Sequence, residues 1–259
     1  MQPITIFLVT SSTPCFFAIF GIYSLHMRKY RIALVLLLIS ELIFYFSCQP
    51  ADPPVRDAGF SFFPLESGHY IIYSVTDSLY ALPASKTGRS YQIKEVVGEA
   101  YTDITGQTAY RLNRYRRVSS QQPWQPDSIW TARIVNHEAI RSENGRDYVK
   151  LVFPIGNRVR WNGNKWNALD EETYEMRNTR RPFIVLDRQF DETVTVVQQN
   201  DSTLVSQNKR IEVYARQTGL IYREKTILQF CSSTPACIGK NQIDYGIRQT
   251  YRILTYGKE

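Results

Sequence analysis

From residue 60 onward the chain consists of short runs of apolar, aromatic and β-branched residues separated by turn residues. The first run, Tyr70–Val75, has the composition typical of a β-strand. No long segment has the 3.6-residue period of an amphipathic helix, and the runs recur every 8–15 residues or so, which is typical of an antiparallel sandwich or barrel. The pattern predicts an all-β fold: a single antiparallel curved sheet, an incomplete barrel or a sandwich. The predicted strands lie at 70–75, 91–97, 108–118, 129–135, 148–153, 183–186, 194–198, 210–215, 220–230 and 243–256.

The N-terminal part of the chain has a different pattern, in which a basic stretch at 28–31 precedes an apolar run at 32–46 and a Ser-Cys pair. Positive charge, an apolar core and a small residue before the cleavage point indicate a secretory signal. With Cys48 at that point, the segment 27–48 is predicted to be a lipoprotein signal peptide, and Cys48 the lipidation site. Two alternatives stay open: a cleaved signal without lipid, and a retained membrane helix, which Glu41 disfavours because a central carboxylate costs roughly 2.5–3.5 kcal/mol.

These features divide the chain into four parts. Residues 1–26 are interpreted as an over-long gene start or as an extra apolar segment, and either interpretation places everything after Cys48 outside the cytoplasm. Residues 49–59 contain three prolines and few apolar residues, so they are predicted to be a stiff tether. Residues 60–259 form the predicted β-rich domain. We expect the protein in the cell envelope, anchored by lipid in the outer membrane, without a prediction of which side it faces.

Charge narrows the choice of partners. The chain has 31 basic and 24 acidic residues, a net charge of +7. Without the three basic residues and one acidic residue of 1–48, the counts become 28 and 23, a net charge of +5. A basic protein in the cytosol would suggest nucleic acid. Outside it we expect no nucleic acid, and the available polyanions are lipid head groups, lipopolysaccharide and acidic glycans.

The densest basic stretch, Tyr110–Arg117, is a candidate site for an anion. On a strand, alternate side chains share a face, so its cations are divided between two faces. The alternative is a surface strand kept soluble by its charge. The candidate ligand-binding residues here are Arg111, Arg114, Tyr115 and Arg117.

Trp161 and Trp166 are a second candidate site. Asn162-Gly163 favours a tight hairpin between them, because this pair tolerates positive φ. Two exposed indoles could stack on a sugar ring, with acids such as Asp170 or Glu172 nearby. The alternative is that both rings pack on the sheet, where aromatic pairs are stabilising.

Covalent and catalytic features are few. Cys231 and Cys237 enclose five residues and are predicted to form a structural disulfide in an oxidising compartment. His137-Glu138 begins like a zinc-protease motif, but Arg141 stands where the second His is needed. No nucleophile elbow or phosphate loop is present. We therefore predict no catalytic residue, no metal and no cofactor, and a protein that is more readily a binding protein than an enzyme.

Two short motifs carry a resemblance to a known group. The segment Tyr214-Ala215, three residues, then Gly219-Leu220-Ile221 and the opening Pro64-Leu65 through Tyr73 resemble signatures of uncharacterised exported β-rich lipoproteins of Bacteroidota. The resemblance implies a curved antiparallel sheet or incomplete barrel and no known reaction. The leading hypothesis is a lipid-anchored envelope protein that binds an amphiphile or other ligand, or a partner protein, through a curved sheet. The alternatives are a glycan-binding or glycan-cleaving protein and a structural subunit of an envelope assembly.

Overall fold

The computed structural model describes residues 57–82 and 85–259, and this part of the chain is one antiparallel sheet of twelve strands with no α-helix. A single 3₁₀ turn, Phe60–Phe62, precedes the sheet. The all-β prediction is confirmed. The strands are β1 His69–Ala81, β2 Ser85–Thr102, β3 Thr108–Arg117, β4 Gln125–Val135, β5 Glu138–Glu143, β6 Arg146–Val152, β7 Arg160–Asn162, β8 Thr173–Val185, β9 Arg188–Ser202, β10 Ser206–Ala215, β11 Gly219–Phe230 and β12 Ile243–Lys258.

The strands are connected as a meander whose first and last members pair. The order across the sheet is β6-β5-β4-β3-β2-β1-β12-β11-β10-β9-β8-β7, so β6 and β7 are its edges. The backbone N–H of Val149 donates to the carbonyl of Gly163 (2.9 Å), and the indole N–H of Trp161 donates to the carbonyl of Val149 (2.8 Å). These bonds bring the two edges together. The sheet is therefore a nearly closed barrel, one of the forms that the sequence predicts.

One end of the barrel, called the base, is filled by the segment that precedes β1. Phe62 is fully buried there. The carbonyl of Ala58 accepts a hydrogen bond from the Ile155 N–H (2.9 Å), and the carbonyl of Ser61 accepts one from the Gln217 N–H (2.7 Å). Residues 57–59, within the predicted tether, thus contact the β domain. Cys48, the whole predicted signal peptide and residues 49–56 of the predicted tether lie outside the described residues.

The opposite end, called the mouth, contains the β3–β4, β5–β6 and β9–β10 connections and the long segment between β11 and β12. Its best-defined covalent feature is the Cys231–Cys237 disulfide, which closes a small loop directly after β11. No helix in the described residues has the length and apolar character needed to span a membrane.

The connection after β7 differs from the predicted tight hairpin. β7 pairs with β8 so that Asn162 lies opposite Thr173, and residues 163–172 form a longer loop between them. The side-chain oxygen of Asn162 organises this loop, because it accepts hydrogen bonds from the N–H groups of Asn164 (2.9 Å) and Glu172 (3.2 Å). The Asn side chain stabilises a wide turn here instead of a two-residue one.

Candidate functional site

Charged side chains occupy the middle of the barrel, above the apolar base. The ammonium of Lys150 on β6 lies 2.8 Å from Oε1 of Glu212 on β10 and 3.1 Å from Oε1 of Glu143 on β5. Arg223 on β11 reaches the same two carboxylates, at 3.2 Å from Glu143 and 3.4 Å from Glu212. The Tyr214 hydroxyl donates a further bond to Glu212 (2.7 Å). Two cations and two carboxylates therefore join four strands through the interior.

A second group extends this network to the other side of the barrel. Glu95 on β2 contacts Arg141 and lies 3.4 Å from Nε of Arg114. Both guanidinium groups lie over the ring of Trp130. The distance from the guanidinium carbon to the ring centroid is 3.7 Å for Arg114 and 4.8 Å for Arg141. A cation over an aromatic face is attracted by the ring quadrupole. Glu95 and the indole together thus hold the two buried arginines side by side in spite of their like charge.

The buried carboxylates remain ionised because their partners outweigh the effect of burial. Burial alone would raise the pKa of Glu143, but Arg223, Lys150 and Arg141 together hold that pKa well below its ordinary value. For Glu212, burial likewise opposes ionisation, and Lys150 and Arg223 bring the net shift of its pKa downward. Glu143 and Glu212 are therefore ionised at neutral pH.

A cavity of about 650 Å³ lies above this network and opens at the mouth. Its volume is within the range of small-molecule binding sites. Polar groups dominate the lining, which differs from the mainly apolar lining of most such sites. Two carboxylates, Asp127 and Glu143, face six cations, and those cations are Arg114, Arg146, Lys150, Arg210, Arg223 and Lys225.

Two of these cations have no carboxylate partner within the described chain, namely Arg146 and Lys225. Arg146 is exposed at the rim, whereas Lys225 is half-buried in the wall. Burial, followed by the neighbouring charges of Arg223 and Arg210, lowers the pKa of Lys225. The cavity wall therefore carries an uncompensated excess of positive charge.

Two buried hydrogen-bond donors in the cavity wall also lack a partner. The indole N–H of Trp130 and the amide nitrogen of Gln198 make no hydrogen bond with any described residue, and each side chain is more than nine-tenths buried. Most buried polar groups in proteins have a partner, so these two donors are exceptions, and neither atom is accessible from the cavity. The anion preference of the cavity therefore rests on the unpaired cations Arg146 and Lys225.

The predicted basic stretch contributes one residue to this cavity. Arg114 points inward with buried Leu112, because the two share a face of β3. Arg111 lies over the ring of Tyr101 (5.1 Å), and Arg117 lies over Trp124 (4.2 Å) and donates to Gln92 (2.7 Å). Neither of them, nor Tyr115, lines the cavity. The four predicted residues are thus divided between the two sides of the barrel wall.

The two tryptophans of the other predicted site have separate partners. Trp161 is half-buried, bonds to the β6 backbone and meets the ring of Tyr174 edge-on at 5.9 Å. Trp166 is 45% exposed and donates its indole N–H to Glu138 (2.8 Å). Neither ring lines the cavity. Their positions indicate that Trp161 helps to close the sheet and that Trp166 contacts β5 through Glu138.

The chain matches no model of a known protein family and no curated protein sequence. Two solved structures are similar to it. One is a protein of Bacteroides fragilis with a YmcC-like fold, provisionally described as exported. The two sequences are 11% identical, and the TM-score is 0.34. The match covers 78% of this chain and 100% of the Bacteroides fragilis chain. The other, provisionally described as a lipoprotein of Parabacteroides distasonis, shares 12% identity with a TM-score of 0.36 and the same coverage. TM-scores this low do not establish a shared fold.

Most cations of the cavity could not be identified from the sequence by looking for clusters of basic residues, because they are spread over several strands. Ile221, Arg223, Lys225 and Ile227 follow one another at two-residue steps along β11, and Ile221 is fully buried. Alternate residues on a strand share a face, so a cation in register with core residues is the signal of an inward charge.

No group of three or more potential metal-ligating side chains occurs in the described part of the chain.

Proposed function

We propose that the protein is an exported, lipid-anchored envelope protein whose β domain binds an anionic ligand in the cavity at its mouth. The observation that carries this proposal is the charge of the cavity wall, where Arg146 and Lys225 have no carboxylate partner among the described residues, whereas the other four cations are ion-paired.

The cavity is already organised to hold an anion before one arrives. Arg114 and Lys150 are fixed by ion pairs, and Arg223 is held between two carboxylates, so few side chains need to be ordered on binding. An anion beside Lys225 would relieve its repulsion from Arg223 and Arg210, and charge-assisted hydrogen bonds are the stronger class. Preorganisation and charge excess therefore both favour binding.

Placement in the envelope rests on the N-terminal pattern that ends at Cys48. Asp57, the first described residue, contacts Arg216 next to the segment that fills the base, whereas the cavity opens at the mouth.

Binding is tested by calorimetric titration of the full chain, held in phosphatidylcholine nanodiscs, with inorganic pyrophosphate. Lys225→Gln removes an unpaired cation and should weaken binding about 10–100-fold, since a hydrogen bond to a charged group contributes about 1.5–3 kcal/mol. Lys240→Gln is the matched control, because Lys240 is an exposed cation outside the cavity. Equal affinities for the wild type and Lys225→Gln would contradict the cavity as the anion site.

Anchoring is tested separately in cells. We expect Cys48→Ala to move the protein out of the membrane fraction, and inhibition of lipoprotein signal peptidase to produce a chain of higher mass. An unlipidated chain that still begins at Met1 in untreated cells would refute the anchor and leave the binding measurement unaffected.

A further inference from the structure

The wall of the cavity continues toward the mouth beyond its cationic part. Lys225 on β11 pairs with Gln249 on β12, and two residues further on Ile227 pairs with Ile247. Ile247 pairs on its other side with Leu79 of β1. Directly paired residues project to the same face, and so do residues two apart on a strand. Ile227, Ile247 and Leu79 therefore lie on the same face as Lys225.

Tyr245 extends this face by two more residues along β12, opposite Gln229. We call Leu79, Ile227, Tyr245 and Ile247 the apolar strip. Ile227 itself lines the cavity, so the strip begins inside the cavity and runs outward from it. The five residues from Gln249 to Tyr245 span about 13 Å, which is the reach of a medium-length alkyl chain.

The strip is incompletely covered by the protein. Leu79 is 46% exposed and Tyr245 is 51% exposed, whereas Ile227 and Ile247 are half-buried. Single exposed apolar side chains are ordinary, but a row of them that continues from a cavity wall forms one surface. An apolar group that covered this surface would displace water from it, and this displacement would favour binding.

We propose that the ligand is an amphiphile, with its anionic head among Lys225, Arg210 and Arg223 and its hydrocarbon chain along the apolar strip. The inference rests on the proposed anion-binding function and specifies the class of ligand. A small inorganic anion would satisfy the cations and leave the strip exposed. The continuity of the two surfaces assigns both to one molecule.

The test compares dodecyl phosphate with butyl phosphate, two probes with the same head group. Both are titrated below the micellar concentration into the full chain in phosphatidylcholine nanodiscs, and empty nanodiscs are subtracted. The wild type should bind dodecyl phosphate at least about tenfold more tightly, because apolar area buried on binding is stabilising. Both probes should lose affinity in Lys225→Gln.

Substitutions in the strip should affect the long chain alone. Leu79→Thr with Ile247→Thr keeps strand propensity and should abolish the preference for dodecyl phosphate without changing the affinity for butyl phosphate. Tyr245→Ser, at the most exposed position, should weaken dodecyl phosphate binding even if the double variant does not fold. Ile129→Thr is the matched control, since Ile129 is exposed on β4 outside the cavity and should have no effect.

The outcomes distinguish this inference from the proposed function. Equal affinity of the wild type for both phosphates would overturn the amphiphile and leave anion binding intact. Failure of either phosphate to bind would refute the anion site itself. Equal affinities together with a concentration-dependent dimer that the strip variants abolish would assign the strip to a second copy of the chain.

Discussion

Lys150 and Glu212 form an ion pair of 2.8 Å in the interior of the barrel, with side chains only 3% and 1% exposed. They are 62 residues apart in the chain and belong to β6 and β10, which are not neighbours in the sheet. The pair therefore connects opposite parts of the wall across the interior. It also forms the floor of the cavity, because Lys150 lines it.

Removal of one partner of this pair should destabilise the fold strongly. We expect Lys150→Met to lower the free energy of unfolding by about 3–5 kcal/mol, because it leaves a buried carboxylate without its nearest cation. Adding Glu212→Gln should recover part of the loss, since the amide is neutral and still accepts the bond from Tyr214. Urea unfolding of the single and double variants measures the coupling.

Lys165→Met is the control for that measurement. Lys165 also makes an ion pair, with Glu138 at 2.6 Å, but its side chain is 50% exposed. An exposed pair contributes about 0–1 kcal/mol, so this variant should be nearly neutral. Comparable losses for Lys150→Met and Lys165→Met would contradict the structural role of the buried network.

Stability should fall in acid because the buried carboxylates resist protonation. The pKa values of Glu143 and Glu212 in the folded state lie below their ordinary 4.5. The unfolded chain therefore binds more protons as the pH falls below about 4.5, and folding loses free energy from there downward. The stability that the ionised Glu143 and Glu212 contribute is fully present at neutral pH. Urea midpoints measured from pH 7 to 3 should decline mainly below 4.5.

Glu143→Gln is the informative variant for this pH dependence. It removes one of the two carboxylates and should give a shallower decline in acid, together with lower stability at neutral pH. An identical slope for the wild type and Glu143→Gln would show that other carboxylates cause the acid sensitivity.

Anion binding should weaken at alkaline pH because Lys225 loses its proton at a lower pH than an ordinary lysine does. Burial, Arg223 and Arg210 place its pKa below the ordinary 10.5 when the cavity is empty, and a bound anion would raise it again. The affinity for the anion should be highest below the pKa that Lys225 has in the empty cavity, and it should decline as the pH rises through that pKa. Titration with ethanedisulfonate, whose own charge is constant, provides the measurement. Lys225→Arg should bind without this decline, since an arginine stays charged.

Gly246 should tolerate no side chain, because β12 approaches β11 closely at this point. Its φ is +133°, and an added Cβ would lie 2.1 Å from the carbonyl oxygen of Ile227. Gly246→Ala should lower the free energy of unfolding by about 2–4 kcal/mol through backbone strain and overpacking. Gly88→Ala in β2, where a Cβ meets nothing within 4 Å, should be close to neutral. Thermal unfolding of both variants tests the difference, and a stable Gly246→Ala would contradict the register of β11 and β12.

Much of the fold follows from local composition, with clear exceptions. Runs of aromatic and β-branched residues predict most strands, and the spacing of Cys231 and Cys237 predicts the disulfide that the structure contains. β8, Thr173–Val185, is predicted only over residues 183–186. Its N-terminal half buries Tyr174 and Met176 between polar residues, so the interior contact and not the composition makes it a strand.

By itself, the sequence determined the all-β antiparallel class, the positions of most strands and the N-terminal pattern that ends at Cys48, because these depend on residues near one another in the chain. Only the tertiary structure decided that β1 and β12 pair and that the sheet nearly closes. It also decided which cations face inward: Arg114 does and Arg111 does not. Alternation along a strand defines two faces, but only pairing with distant strands selects the inner one, and a shift of one residue would exchange them.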